Sequence, residues 1–203
     1  MVESTTSRFA QARAEPGKAL RVLMELLRGK LAIWRCHLLG RRVECGRNLR
    51  ITAGGRLRLQ GPGRVVFGDD VTIGETVTPW TSTPEAVITV GNRVLLNGTR
   101  FGCHASISVG DRCLLGDCRL MDSDFHGTDP NARERYEAAP VAIGENVWIA
   151  IGVIVLKGVT IGTGSTVSAG SIVTGDLPGD SICWGNPAKV LKSALREPPA
   201  RSG

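Results

Sequence analysis

The chain has 203 residues, with 26 glycines, nine aromatics and a formal charge of +6. Glycine without a three-residue period excludes a collagen-like fibre, and no apolar run approaches the ~20 residues that cross a bilayer as a helix. Residues 1–50 hold 11 Lys and Arg against 4 Asp and Glu, and the remainder hold 14 against 15. The basic character therefore belongs to an N-terminal arm on a nearly neutral body, and with few aromatics to stack bases the sequence points to no nucleic-acid partner.

Met1–Ala14 is polar and lacks the apolar core of a signal peptide. The six cysteines, Cys36, Cys45, Cys103, Cys113, Cys118 and Cys183, form no C-x-x-C pair and have no histidine at zinc-finger spacing. They read as reduced thiols of a cytoplasmic protein, mostly small apolar fillers. From Lys18 to Leu39, Leu20, Leu23, Leu27, Leu31, Trp34 and Leu38 recur at three- and four-residue spacing, which predicts an amphipathic helix. Arg21, Arg28, Lys30 and Arg35 stand on its other face. Such a helix is expected to cap the domain C-terminal to it; peripheral contact with the inner membrane surface is a compatible second role. Residues before Lys18 and after about Ala194 read as flexible ends.

A six-residue repeat organises the rest of the chain. Ile143, Ile149, Val155, Ile161, Val167 and Val173 lie six apart, preceded at two residues by Val141, Val147, Val153, Val159, Ser165 and Ser171. Gly152, Gly158, Gly164 and Gly170 form a second series. Earlier traces are Phe67 and Ile73, and Val109, Leu115 and Met121, so the period covers roughly 43–121 and 141–176. A helix would lose about 1 kcal/mol at each glycine relative to alanine. A sandwich would turn every ~8–12 residues, not every six. The repeat instead predicts an all-β, parallel β-helix with one apolar side chain per unit pointing inward and small residues at the corners. About six coils stacked at ~4.8 Å would make a prism roughly 30 Å long.

The period stops after Met121 and resumes at Val141. A polar excursion from a rigid solenoid is where function tends to lie. This one begins Asp122-Ser123-Asp124-Phe125-His126-Gly127. Imidazoles titrate near neutrality, so His126 is suited to take a proton from an attacking hydroxyl. Asp122, Asp124 or a backbone carbonyl could hold its other ring nitrogen. The sequence accordingly divides into a basic arm and helix at 1–42, a β-helix domain at 43–192 with the protruding loop 122–140, and a tail at 193–203.

These segments resemble the hexapeptide-repeat acyltransferase family. The resemblance rests on Asp122–Gly127, on Gly144-Glu145-Asn146-Val147-Trp148-Ile149, on Gly158–Gly162, on Ala169–Thr174 and on Gly185-Asn186-Pro187-Ala188-Lys189-Val190. It covers about residues 65–192 and runs to the maltose, galactoside and xenobiotic acetyltransferases and to polysaccharide O-acetyltransferases. It implies a left-handed β-helix, a homotrimer with active sites between subunits, acetyl-CoA as co-substrate with no metal required, and His126 as catalytic base. Trp148, Ile151, Ala169, Thr174, Lys189 and Lys192 match positions along the coenzyme A groove. Asn97 matches one beside the acceptor pocket, where Asp124 is also placed. The implied acceptor is a sugar or glycosylated metabolite.

The chain also departs from the family pattern. Ile149-Ala150-Ile151-Gly152 stands where Ile-Gly-x-Gly is usual, Gly175 replaces a lysine after Thr174, and Trp184 replaces a small residue before Gly185. Alternatives of the same chemistry are N-acetylation of an amino sugar and antibiotic modification. A non-catalytic trimeric scaffold is the alternative from another class, and a zinc-dependent γ-type carbonic anhydrase is disfavoured because one of only three histidines, His37, falls in the helix.

Overall fold

The computed structural model describes residues 16–127, 129–133 and 137–193. The ends expected to be flexible lie outside these, apart from Pro16 and Gly17, which open helix α1 (Pro16–Leu38).

Strands run from Arg42 to Ser193 and form three sheets of six, eight and six strands, giving a solenoid of about six turns. Each coil contributes one strand to each sheet in turn. In the fifth coil these strands are Val141–Ile143, Trp148–Ile149 and Ile154–Val155, on the first, second and third sheets. All pairings between coils are parallel, and Ser181–Gly185 and Ala188–Ser193 close the second sheet as an antiparallel hairpin. The expected all-β parallel β-helix with an N-terminal helix is borne out.

The repeat lies in the core. Ile143, Ile149, Val155, Ile161, Val167 and Val173 are buried, and so are Val141, Val147, Val153, Val159, Ser165 and Ser171. Each six-residue unit thus sends two side chains inward where one was expected. A two-residue strand flanked by bends aims its second residue into the prism, and the residue just before the strand turns inward as well. Each buried valine or isoleucine contributes about 2 kcal/mol. The two core serines are satisfied locally: Ser165 donates to the Pro178 carbonyl and Ser171 to that of Ser168, both at 2.7 Å.

Coil length changes along the prism. Pairing steps of 18 residues, such as Ala142 with Thr160 and Trp148 with Thr166, hold only after the loop. Before it, Arg42 pairs with Arg64 and Arg64 with Val87, so those coils carry extra residues at their corners. One corner is a column of left-handed residues, Asn48, Asp70, Arg93, Arg112 and Asn146, which continues through Gly164 to Asp180.

Helix α1 packs on the first coil, as expected of a cap, through a face of mostly small side chains and not through its leucine stripe. Glu25, Gly29 and Cys36 are buried, with Ala32 and Ile33 partly so, while Leu20, Leu23, Leu27, Leu31, Trp34 and Leu38 are exposed. Backbone proximity explains the choice. A Cβ on Gly29 would lie 2.1 Å from the Leu49 carbonyl oxygen, so only glycine lets the helix seat this closely.

Candidate active site

The prism has three edges, and the loop leaves from the edge between the third and first sheets, after the strand Arg119–Met121. Its root is tightly held. The buried Asp122 carboxylate accepts the backbone N–H of His104 at 2.7 Å and of Ala105 at 2.8 Å. The chain returns alongside itself: Ser123 and Ala138 form an antiparallel bridge, and the Ala139 N–H donates to the Asp122 carbonyl at 2.8 Å. Lys157 on the next coil pairs with Asp124 and, at 3.1 Å, with Glu137. Both carboxylates hold the Lys157 ammonium pKa above its usual value, Asp124 most strongly.

This neck presents His126. The residue before it, Phe125, has φ 59°, a left-handed conformation rare for a bulky side chain. Its ring meets Trp80 with centroids 5.0 Å apart and planes tilted by 52°. Gly102 makes room: a Cβ there would come within 3.0 Å of the Phe125 ring. His126 is exposed, and no described residue hydrogen-bonds its ring. Neither carboxylate proposed to orient it does so here. Asp122 is committed to the His104 and Ala105 amides, and Asp124 to Lys157. Thr128 and residues 134–136 of the loop lie outside the described residues.

The other candidate residues divide between two edges. Asn97, Ile151 and Ala169 stack on the edge between the second and third sheets. There the Asn97 N–H bonds the Leu115 carbonyl, the Gly116 N–H that of Ile149, and the Gly170 N–H that of Ile151. Trp148 projects from the second sheet, 54% exposed, between Leu114 and Thr166 of the adjoining coils. Ile151 is 63% exposed at the corner itself. Thr174 falls instead on the loop's edge, directly after the third-sheet strand Ile172–Val173.

At the C-terminal end, Gly170, Trp184, Asn186, Pro187 and Lys189 line an open cleft of about 600 Å³. Lys192 sits on the same hairpin, paired across to Ile182. The cleft joins Lys189 to the Gly170 corner, and the exposed Lys189 ammonium in its lining suits a phosphorylated ligand; Lys192, also exposed, is not in the lining. The sequence did not reveal the grip of Asp122 on the His104 segment, the bridging Lys157 or the Trp80–Phe125 contact. Their partners are 17 to 45 residues apart in the chain, and only stacking brings them together.

Parallel coils on a six-residue repeat, broken once by a histidine-bearing loop, define a hexapeptide-repeat β-helix protein. Residues 140–175 match the family model described as bacterial transferase hexapeptide (six repeats). Within that class the chain is similar to acetyltransferases. A probable acetyltransferase of Mycobacterium tuberculosis is 34% identical over 175 residues, 83% of this chain and 55% of that protein. The galactoside O-acetyltransferase of Lactococcus lactis is 41% identical over 88 residues, 42% of either chain. The chain spans about half the length of the first curated relatives it matches, from 42% to 55%. Among solved structures, the fold is shared with AntD, an N-acyltransferase from Bacillus cereus crystallised with dTDP and coenzyme A. That match has a TM-score of 0.63 at 21% identity and covers 75% of this chain and 84% of AntD.

Proposed function

We propose that this protein is an acetyl-CoA-dependent O-acetyltransferase that acylates a hydroxyl of a sugar-like acceptor, with His126 as general base. The observation that carries the reading is the presentation of His126, an exposed imidazole on a loop pinned to a rigid prism by Asp122 and Lys157. Similarity to a galactoside O-acetyltransferase supports the acceptor class, and coenzyme A bound to AntD, on the same fold, supports the donor.

In this mechanism the acceptor oxygen attacks the thioester carbonyl carbon as His126 takes its proton. The tetrahedral intermediate collapses, the carbon–sulfur bond breaks, and the imidazolium returns the proton to the departing thiolate. The products are the acetyl ester and free coenzyme A. Backbone N–H groups at the groove would stabilise the oxyanion. Lys189 and Lys192 bind the coenzyme's phosphates, Trp184 lies against the nucleotide end, and Trp148, Ile151 and Ala169 guide the pantetheine arm. Thr174 borders the same coenzyme, while Asn97 and Asp124 contact the acceptor.

These groups lie on two different edges of one prism. We therefore assign the working site to the cleft between neighbouring copies in a homotrimer, where one copy's loop edge faces another's groove edge. Holding both substrates there supplies the proximity that direct transfer requires.

The test is thiol release from acetyl-CoA with a panel of sugar and amino-sugar acceptors, comparing wild type with His126→Ala. A hydroxyl acceptor is expected to be turned over, and the variant to lose about 10²–10⁴-fold in kcat. Turnover of amines alone would reassign the chemistry to N-acetylation. Equal rates for the two proteins with a good acceptor would remove His126 from the mechanism.

A further inference from the structure

Helix α1 is apolar on two opposite faces, and only one of them is used. The face carrying Gly29 and Cys36 rests on the first coil, fixed there by the glycine seat against Leu49. The opposite face turns Leu20, Leu23, Leu27, Leu31, Trp34 and Leu38 outward, with exposures from 50% to 71%. Soluble proteins rarely leave so long a continuous apolar stripe uncovered.

The borders of the stripe are cationic. Arg21, Arg28 and Arg35 recur at seven-residue spacing and so form a row along one side, with Lys30 on the other. The one acid of the helix, Glu25, is buried on the packed face near Arg50. The end of the prism beneath is also basic, with Arg42, Arg56 and Arg58 exposed and Arg47 paired with Asp69.

We infer that the outward face of α1 docks the protein on a bilayer surface bearing anionic headgroups, with the leucine stripe in the acyl boundary and the arginine row at the phosphates. Charge decides between this occupant and a second copy of the chain. Two α1 stripes laid together would bring arginine rows and lysines into like-charged contact, with no exposed acid on the described helix to offset them; the exposed Glu44 beside the stripe is already paired with Arg64. A second exposed apolar column, Leu95, Leu114 and Trp148, is bordered by Arg93 and by the Arg112–Glu145 ion pair, and these groups together bring no net negative charge to meet the arginine row. An anionic lipid surface answers both the apolar stripe and its cationic rim. The contact is peripheral, since no described helix is long and apolar enough to cross a membrane.

Sedimentation of the full chain with vesicles tests this. Wild type is expected to bind phosphatidylcholine vesicles containing about one third phosphatidylglycerol, and to bind pure phosphatidylcholine at least about tenfold more weakly. Leu27→Asp/Leu31→Asp is expected to lose binding by about tenfold or more while keeping the wild-type unfolding midpoint, since both side chains are exposed. Replacing Arg21, Arg28 and Arg35 by Gln should weaken binding and flatten its salt dependence. Absence of wild-type binding to the mixed vesicles at low salt overturns the inference, as does equal binding by the leucine variant. If wild type stays off vesicles and the leucine variant instead lowers the mass seen by light scattering, the stripe belongs to a second copy. Acetyl transfer to a soluble acceptor is unaffected by any of these results, so the two readings fail separately.

Discussion

Two edges of the same prism are built from one repeat and have diverged in opposite directions. On the edge between the second and third sheets the chain turns tightly at Gly152 and Gly170, both with positive φ, and nothing protrudes. Side chains such as Ile151 and Ala169 stand exposed in a row there, as the floor of a groove requires. On the edge between the third and first sheets the hexad is broken, and the released segment is tied down by a buried carboxylate and a bridging lysine. A regular edge offers a long ligand a uniform track. An interrupted edge can hold a single reactive side chain at a chosen point.

Removing the tie on the interrupted edge should have the largest effect. Asp122→Ala leaves two part-buried N–H groups, of His104 and Ala105, without their acceptor. The expected cost is about 3 kcal/mol in denaturant unfolding, with loss of transfer activity as the loop root loosens. The corresponding device on the regular edge is smaller. Ser171 donates to the Ser168 carbonyl and accepts the Gly185 N–H at 3.1 Å, and both are neutral bonds. Ser171→Ala should cost about 1 kcal/mol. Near-equal costs for the two variants would contradict the contrast between the edges.

Side chains that only floor the groove should cost less still. Ile151→Ser is exposed, so its unfolding free energy should stay within about 0.5 kcal/mol of wild type while the KM for acetyl-CoA rises. A changed kcat with an unchanged KM would take Ile151 out of the groove.

Each edge also holds a buried thiol. Burial pushes Cys118 up to about 12, and burial together with the neighbouring Asp122 carboxylate pushes Cys103 higher still. Below the ordinary thiol pKa of about 8.5 both groups are protonated, folded or unfolded. Above it the unfolded thiols ionise and the folded ones do not, so stability should fall as pH rises from about 8.5 toward 12. Iodoacetamide at pH 8 should leave both unlabelled in the native protein and label both in denaturant. Rapid native labelling of Cys103 would show that the root of the loop opens.

The regular part of the molecule was legible because its constraint is periodic. A core position every six residues leaves Val and Ile in register from Ile143 to Val173, and this is also where the family model matches. The break at Asp122 was visible for the same reason. The earlier coils were fainter because corner insertions, such as those around Pro62 and Pro84, shift the register between Arg42, Arg64 and Val87. For α1 the apolar spacing gave the helix but not its packed face, which close backbone approach at Gly29 decides. For His126 the sequence offered Asp122 and Asp124 as orienting groups, and both serve the loop's anchorage. Sequence distance hides such pairings: Asp124 and Lys157 stand 33 residues apart and meet only because one coil stacks on the next.

The central claim is that the interrupted edge supplies the base and the regular edge the track. Single-turnover acetyl transfer to the best acceptor, followed across pH for wild type, His126→Ala and Lys189→Ala/Lys192→Ala, tests it directly. In wild type the rate is expected to fall on the acid side with the protonation of one group. His126→Ala should lose that dependence along with about 10²–10⁴-fold of the rate, and the lysine variant should keep it while binding acetyl-CoA more weakly. A full-rate His126→Ala enzyme with an unchanged pH profile would contradict it.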